Sequence, residues 1–257
     1  MILHSKIYGS GYPILVFHGL FGNGNNWISF AKKFEKNYQI HLLDIRNHGN
    51  SFVSDKMNYN IISKDILKYI YYHKLNHPVL LGHSMGGRAV MKFSINYPMI
   101  PKKIIIVDIS PKAYVNNFNQ DKLIHILKKV DFNVIHTKKD LDFFLKTWID
   151  DIKIRLFFLK CTQRQKNGKL CFSFSLLNIE KNYNSLIRQE IKDGFFHGPT
   201  LFLRGEYSNY ILDKDYNDIR KLFPKSKIFT VKKSNHWIHI DNPIDFYQKI
   251  SIFLNEI

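Results

Sequence analysis

The segment Gly82-His83-Ser84-Met85-Gly86 sets a hydroxyl between two glycines. It follows the apolar run VLL and precedes the helical pattern GRAVMKF. A strand, a tight turn and a helix in that order can hold a serine at the tip of a strained turn, with Oγ exposed at the positive end of the helix. Ser84 is therefore the candidate nucleophile. Alone, a five-residue pattern of this kind recurs by chance, and its structural alternative is a Gly-rich turn holding an ordinary serine. A second Gly-rich turn, His18-Gly19-Leu20-Phe21-Gly22, follows the run PILVF. Acyl transfer builds negative charge on an oxygen, and two backbone N–H groups aimed at that oxygen stabilise it. Met85 N–H and Leu20 N–H are the expected pair, with Phe21 as a near alternative.

A serine nucleophile needs a base. The chain has 12 histidines, so position carries the weight. His236 lies in KSNHWIHIDNP, just after the last expected strand, where the base belongs in the chain order serine, acid, histidine. His239 is its rival in the same stretch. An acid ends the run IIIVD at Asp108. A carboxylate at the end of a buried strand is costly unless it is paired or used. Asp108 is therefore the candidate third member, which would hold the histidine tautomer and stabilise the imidazolium. Its structural alternative is an Asx turn made by Asp-x-Ser-Pro.

These residues need a scaffold, and the pattern supplies one. Short apolar runs alternate with helical spacing, which predicts an α/β sheet. Strands are expected at 13–17, 40–44, 79–82, 104–108, 200–203 and 227–231, and helices at 26–34, 61–72 and 85–97. Pro243 behind Asn242 predicts the start of a last helix that runs nearly to Ile257. Between 111 and 196 the rhythm turns mostly helical, with pieces at 121–130, 138–148 and 152–161. Asn167-Gly168 signals a turn before a possible short strand at 170–174. The expected organisation is a core of residues 1–110 and 197–257 with a mostly helical cap insertion at 111–196, after the sixth strand of a mostly parallel, doubly wound sheet.

The chain has 257 residues and a formal net charge of +17, with 38 Lys and Arg against 21 Asp and Glu. The excess is mainly lysine, scattered and accompanied by asparagine and isoleucine, as AT-rich coding produces. No compact basic block of the kind used by a nucleic-acid arm stands out. Two cysteines, Cys161 and Cys171, are too few for a disulfide framework and have no metal spacing. No apolar run is long enough to span a membrane, and the start of the chain lacks the pattern of a signal peptide. These features together predict a cytoplasmic protein.

Three stretches, HGLFGN with Trp27, DIRNHGNS at 44–51 and GHSMGGRAVM, resemble the α/β-hydrolase family, and most closely its YbfF-type esterases and their mitochondrial relatives. The Asn47-His48-Gly49 form is the most discriminating, and HWIHIDNP completes the match. In most of the family the acid follows the seventh strand, in a G-x-x-D turn. Here that place reads Arg204-Gly205-Glu206-Tyr207-Ser208, so Ser208 stands where the acid is usual. YbfF-type esterases are similar in using an acid at the preceding strand end, which favours Asp108 over Glu206 and Asp213. Asp44, with Arg46 and His48, is expected to fix the loop beside the oxyanion hole. The resemblance implies a hydrolase of short-chain esters and acyl-CoA thioesters that needs no metal or cofactor. The positive charge would suit CoA or an acidic acyl carrier protein, including a carrier-bound methyl ester. C–C bond hydrolysis on the same scaffold is the alternative, and a non-catalytic ligand-binding protein is the reading that an intact triad argues against.

Overall fold

The computed structural model describes residues 1–114 and 118–256. Its centre is a seven-stranded sheet. The strands are β1 (Ser5–Tyr8), β2 (Tyr12–Phe17), β3 (Tyr38–Leu43), β4 (Val79–His83), β5 (Lys103–Val107), β8 (Thr200–Gly205) and β9 (Ser226–Val231). They lie side by side in the order β1-β3-β2-β4-β5-β8-β9. Only β1, at one edge, runs antiparallel to its neighbour. The central strands are continuous apolar runs because both of their faces are covered. Ile104 and Ile106 join the core on one side, while Ile105 and Val107 join the core on the other.

Helices α2 (Tyr59–Tyr72) and α3 (Met85–Asn96) cover the first face. They bury Ile62, Ile66, Tyr69, Ala89, Val90 and Phe93. Helices α1 (Ile28–Phe34) and α10 (Pro243–Asn255) cover the second with Phe30, Phe34, Phe246 and Ile250. Asn58 caps α2 by accepting from the Ile61 amide at 2.9 Å. Pro243 does open α10, with the Asn242 side chain accepting from the Asp245 amide.

Between β5 and β8 lie α4 (Phe118–Lys128), α5 (Lys138–Lys146), α6 (Ile152–Lys160) and α7 (Leu176–Ile187). The Asn167-Gly168 turn joins β6 (Thr162–Arg164) to β7 (Leu170–Phe172), a two-stranded hairpin. The chain after β7 meets the loop after β3: the Gly49 amide donates to Ser173 O at 2.6 Å and the Ser175 amide to Asn47 O at 2.8 Å. In chain order this segment follows the fifth strand, β5, rather than a sixth. Helices α8 (Tyr216–Leu222) and α9 (Ile238–Asp241) complete the fold. No helix among the described residues is long and apolar enough to cross a membrane, and both cysteines are free thiols.

Candidate active site

Parallel register brings the chemistry together. His83 pairs with Val107 across β4 and β5, so Ser84 and Asp108 leave adjacent strands at the same level. Leu203 pairs with Val107 on the other side, which sets Gly205 beside Asp108. All lie at the carboxyl ends of the strands, where open α/β sheets hold their functional groups.

Ser84 has φ 53° and ψ −119°, a backbone state that costs roughly 1–3 kcal/mol and must be held by its surroundings. Its amide donates to Val107 O at 3.1 Å. The glycines on either side make the sharp turn possible. A Cβ on Gly82 would lie 2.3 Å from Gly86 O, and one on Gly86 would lie 2.4 Å from Phe17 O. The Ser84 hydroxyl finds no hydrogen-bond partner among the described residues and faces a pocket with Leu20, Met85, Tyr59, Tyr114 and Tyr210. The pocket is tight, with a cavity volume of about 10 Å³, the space of a single water.

Asp108 is fully buried. Its Oδ2 accepts from His236 Nδ1 at 2.8 Å and from the Ser208 hydroxyl, and its Oδ1 accepts from the Gly205 amide at 2.8 Å. The serine that stands at the usual acid position thus donates to the acid on the neighbouring strand. Three donors offset the cost of burying the carboxylate. Glu206 is exposed and accepts from the Lys233 amide, and Asp213 pairs with Arg204. Neither contacts His236.

The His236 ring stacks on Tyr210, with centroids 3.8 Å apart and planes at 17°. His83 Nε2 donates to His236 O at 3.0 Å. Burial, with the nearby His236 and His239 rings, holds the His83 pKa well below the ordinary value, so it serves as a neutral donor. The rival, His239, is half-buried and stacks on Trp27, with ring centroids 4.3 Å apart. Burial first, then the charge of His236, pushes its pKa down to about 3.

Two further histidines clasp the turn after β2 to the loop after β3. His18 Nδ1 donates to Gly19 O at 2.8 Å, and its Nε2 accepts from the Ile45 amide at 3.0 Å. In return, His48 Nδ1 donates to Arg46 O at 2.9 Å, and its Nε2 accepts from the Phe21 amide at 3.2 Å. Both roles require neutral imidazoles. Burial lowers the His18 pKa, and burial with the His18 charge lowers that of His48 to about 3. The Phe21 N–H is therefore spent on His48. The Leu20 and Met85 amides have no acceptor among the described residues, and both residues line the pocket beside Ser84. Asp44 completes the frame. It accepts from the Gly24 amide at 2.7 Å, the Asn50 amide at 2.8 Å and His4 Nδ1 at 3.0 Å. Arg46 turns away to grip Asp65 of α2 through two bonds of 2.6 and 2.8 Å.

Residue patterns alone did not single out His83, Tyr210 or the donor role of Ser208, since each works through a partner distant in the chain. Among the described residues no group of three or more His, Cys, Asp or Glu side chains could hold a metal ion.

Residues 12–130 match the family model described as the alpha/beta hydrolase fold. A putative esterase/lipase of Haemophilus influenzae is 35% identical, over 95% of this chain and 84% of the relative. The sn-1-specific diacylglycerol lipase ABHD11 of Danio rerio is 31% identical, over 96% and 79%. Esterase YbfF of Escherichia coli, the type expected from the sequence, is 25% identical, over 95% and 93%. Among solved structures, a marine microorganism esterase superposes with a TM-score of 0.95 at 36% identity, covering 98% of this chain and 99% of its own. With these relatives, and with strand ends that gather a strained serine and a buried aspartate bonded to a histidine, the chain belongs to the α/β-hydrolase superfamily.

Proposed function

We propose that the protein is a serine hydrolase of carboxylic esters, with Ser84 as nucleophile, His236 as general base and then acid, and Asp108 as the residue that orients His236. The observation that carries this reading is the 2.8 Å bond from His236 Nδ1 to buried Asp108. It fixes the proton on Nδ1 and leaves the Nε2 lone pair for the serine proton. The bond from Ser84 Oγ to Nε2 forms as substrate enters; such contacts are commonly long in an empty site.

In the first step, Ser84 Oγ attacks the acyl carbon while its proton passes to His236 Nε2. The carbonyl electron pair moves onto oxygen, which the Leu20 and Met85 amides receive. Collapse breaks the bond to the leaving group, which departs with the proton from Nε2. Water then attacks the acyl-enzyme, His236 takes its proton, and the second collapse returns that proton to Ser84 and frees the acid. The small pocket beside Ser84 favours a short acyl chain.

A thioester leaving group fits the same steps. The +17 charge would draw an anionic carrier such as CoA or an acidic acyl carrier protein. The test is kcat/KM for acyl-CoA and for an uncharged ester of the same acyl group at low and high salt. Carrier steering predicts an acyl-CoA value that falls with salt, and equal, salt-insensitive values would argue against it. For the hydrolase itself, the test is a panel of p-nitrophenyl acyl esters of rising chain length with wild type and Ser84→Ala. Turnover that Ser84→Ala abolishes is expected; turnover that survives the substitution would overturn the reading.

A further inference from the structure

The inserted helical segment carries an apolar face that the chain leaves uncovered. Helix α5 is firmly seated. Thr137 Oγ1 accepts from the Asp140 amide at 3.1 Å, and the Asp140 carboxylate accepts from the Thr137 amide at 2.9 Å. Leu141 and Leu145 are fully buried. Lys139, Phe143 and Thr147 stand four apart and so share one helix face. With Val134 of the preceding loop they line an open groove of about 510 Å³. Phe143 is 77% exposed and Val134 is 71% exposed. Trp148, next after Thr147, is 43% exposed, and Lys129 Nζ lies 3.9 Å from its ring centre. Single exposed apolar side chains are ordinary on a protein surface. Two from different elements on one groove, with a tryptophan next along the chain, form a patch of the kind that marks a contact surface.

The charge around the groove says what covers it. Residues 129–169 hold ten Lys and Arg against five Asp. Four of those aspartates are engaged: Asp131 with the Asn133 amide, Asp140 with the Thr137 amide, Asp151 with the Lys153 amide and Asp142 with Arg155. Both arginines are committed as well. Arg155 also donates to Ile149 O and Asp150 O, and Arg164 donates to Gly168 O and His136 O. The cations left on α5 are Lys138, Lys139 and Lys146, which have no carboxylate partner among the described residues. Protein–protein interfaces are enriched in Arg and depleted in Lys, so this set argues against a protein partner. A bilayer surface suits it better. Lysine stems lie along apolar surface while their ammonium groups reach anionic headgroups, and aromatic side chains between them enter the boundary of the acyl region.

We propose that α5 and the loop before it form a docking face for an anionic phospholipid bilayer. Phe143 and Val134 enter the boundary between headgroups and acyl chains, and Lys138, Lys139 and Lys146 meet the lipid phosphates. Each lysine near such a surface strengthens binding by about fivefold. The contact is peripheral, since no helix among the described residues is long and apolar enough to cross a membrane. The proposal goes beyond the hydrolase reading and does not depend on it.

The test is co-sedimentation of the whole protein with vesicles of phosphatidylcholine alone and of phosphatidylcholine mixed with phosphatidylglycerol. The wild type should bind the mixed vesicles at least about tenfold more tightly than the neutral ones. A net charge of +17 attracts anionic lipid from any face, so position decides. Lys139→Glu with Lys146→Glu should weaken binding at least about tenfold. Lys32→Glu with Lys33→Glu makes the same charge change at exposed positions of α1 and should weaken it less than about threefold. Phe143→Ser, at an exposed position and with folding verified by circular dichroism, should weaken binding at least about fivefold. Equal losses in the two double variants, or full binding by Phe143→Ser, would overturn the proposal. So would a wild type that binds neither vesicle. A dimer in size-exclusion chromatography that Phe143→Ser dissolves, without vesicle binding, would assign the face to a second copy of the chain and overturn the lipid reading.

Discussion

Replacing Asp108 by Asn changes one atom at the centre of the site, and the hydrogen bonds around it fix the consequence. The carboxylate accepts from the Gly205 amide on Oδ1, and from His236 Nδ1 and Ser208 Oγ on Oδ2. An Asn side chain keeps the Gly205 bond only by turning its oxygen that way, which points its NH2 at His236. His236 must then accept at Nδ1 and carry its proton on Nε2, where it cannot receive the serine proton. The flipped amide restores the histidine tautomer but sets two buried donors face to face at Gly205, at a cost of about 1–3 kcal/mol. Even that minority form lacks the negative charge that stabilises the imidazolium. The expected loss is about 10³–10⁴-fold in kcat, equivalent to roughly 4–5.5 kcal/mol. The assay is steady-state hydrolysis of a short p-nitrophenyl ester, with circular dichroism to verify folding and Glu206→Gln as control. Glu206 is exposed and bonded to the Lys233 amide, so its variant should stay within about threefold of wild type. A folded Asp108→Asn within tenfold of wild type would refute the reasoning, and a collapse of Glu206→Gln would move the acid role there.

His48→Phe keeps a ring but removes the acceptor for the Phe21 amide, so the turn that presents Leu20 loosens. Steady-state kinetics should show kcat down by roughly 10–100-fold with a smaller change in KM, partly rescued in His48→Gln, whose amide oxygen can accept; an unchanged kcat would contradict the clasp. The buried histidines also predict acid sensitivity. Their folded pKa values lie below the unfolded value near 6.5, so the unfolded chain binds more protons, and stability present above pH 6.5 is lost as pH falls toward about 3. His48 and His239, each lowered to about 3, should each forfeit about 2 kcal/mol by pH 5. Urea midpoints at pH 7.5 and 5.0 measure this, and equal midpoints would contradict it.

The sheet and the sharp turn at Ser84 were legible because their signals are local. VLL, two glycines and a helical run lie next to Ser84 in the chain, and IIIV reads as a strand buried on both faces. An acid ends that run at Asp108 while Ser208 stands at the usual acid position, so its pairing with His236, at 2.8 Å, was expected from the sequence. The antiparallel edge strand Ser5–Tyr8 escaped notice, since SKIY is half exposed and has no apolar run. Leu20 was expected ahead of Phe21, but the partner of the Phe21 N–H was not legible, since His48 lies 27 residues away from Phe21. His83 bonds to His236 O across 153 residues, and Arg88 to Ile187 O across 99. Such partners leave no pattern in one sequence. The tyrosine and histidine rings around His236 are of residue types common throughout this chain, so composition did not mark them.

The most direct measurement is covalent. Intact protein is treated with a fluorophosphonate probe, and the adduct is located by peptide mass spectrometry in wild type and Ser84→Ala. The account predicts a single stoichiometric adduct on Ser84 and none in Ser84→Ala. A folded wild type that takes no label, or a label that persists on another residue in Ser84→Ala, would contradict it.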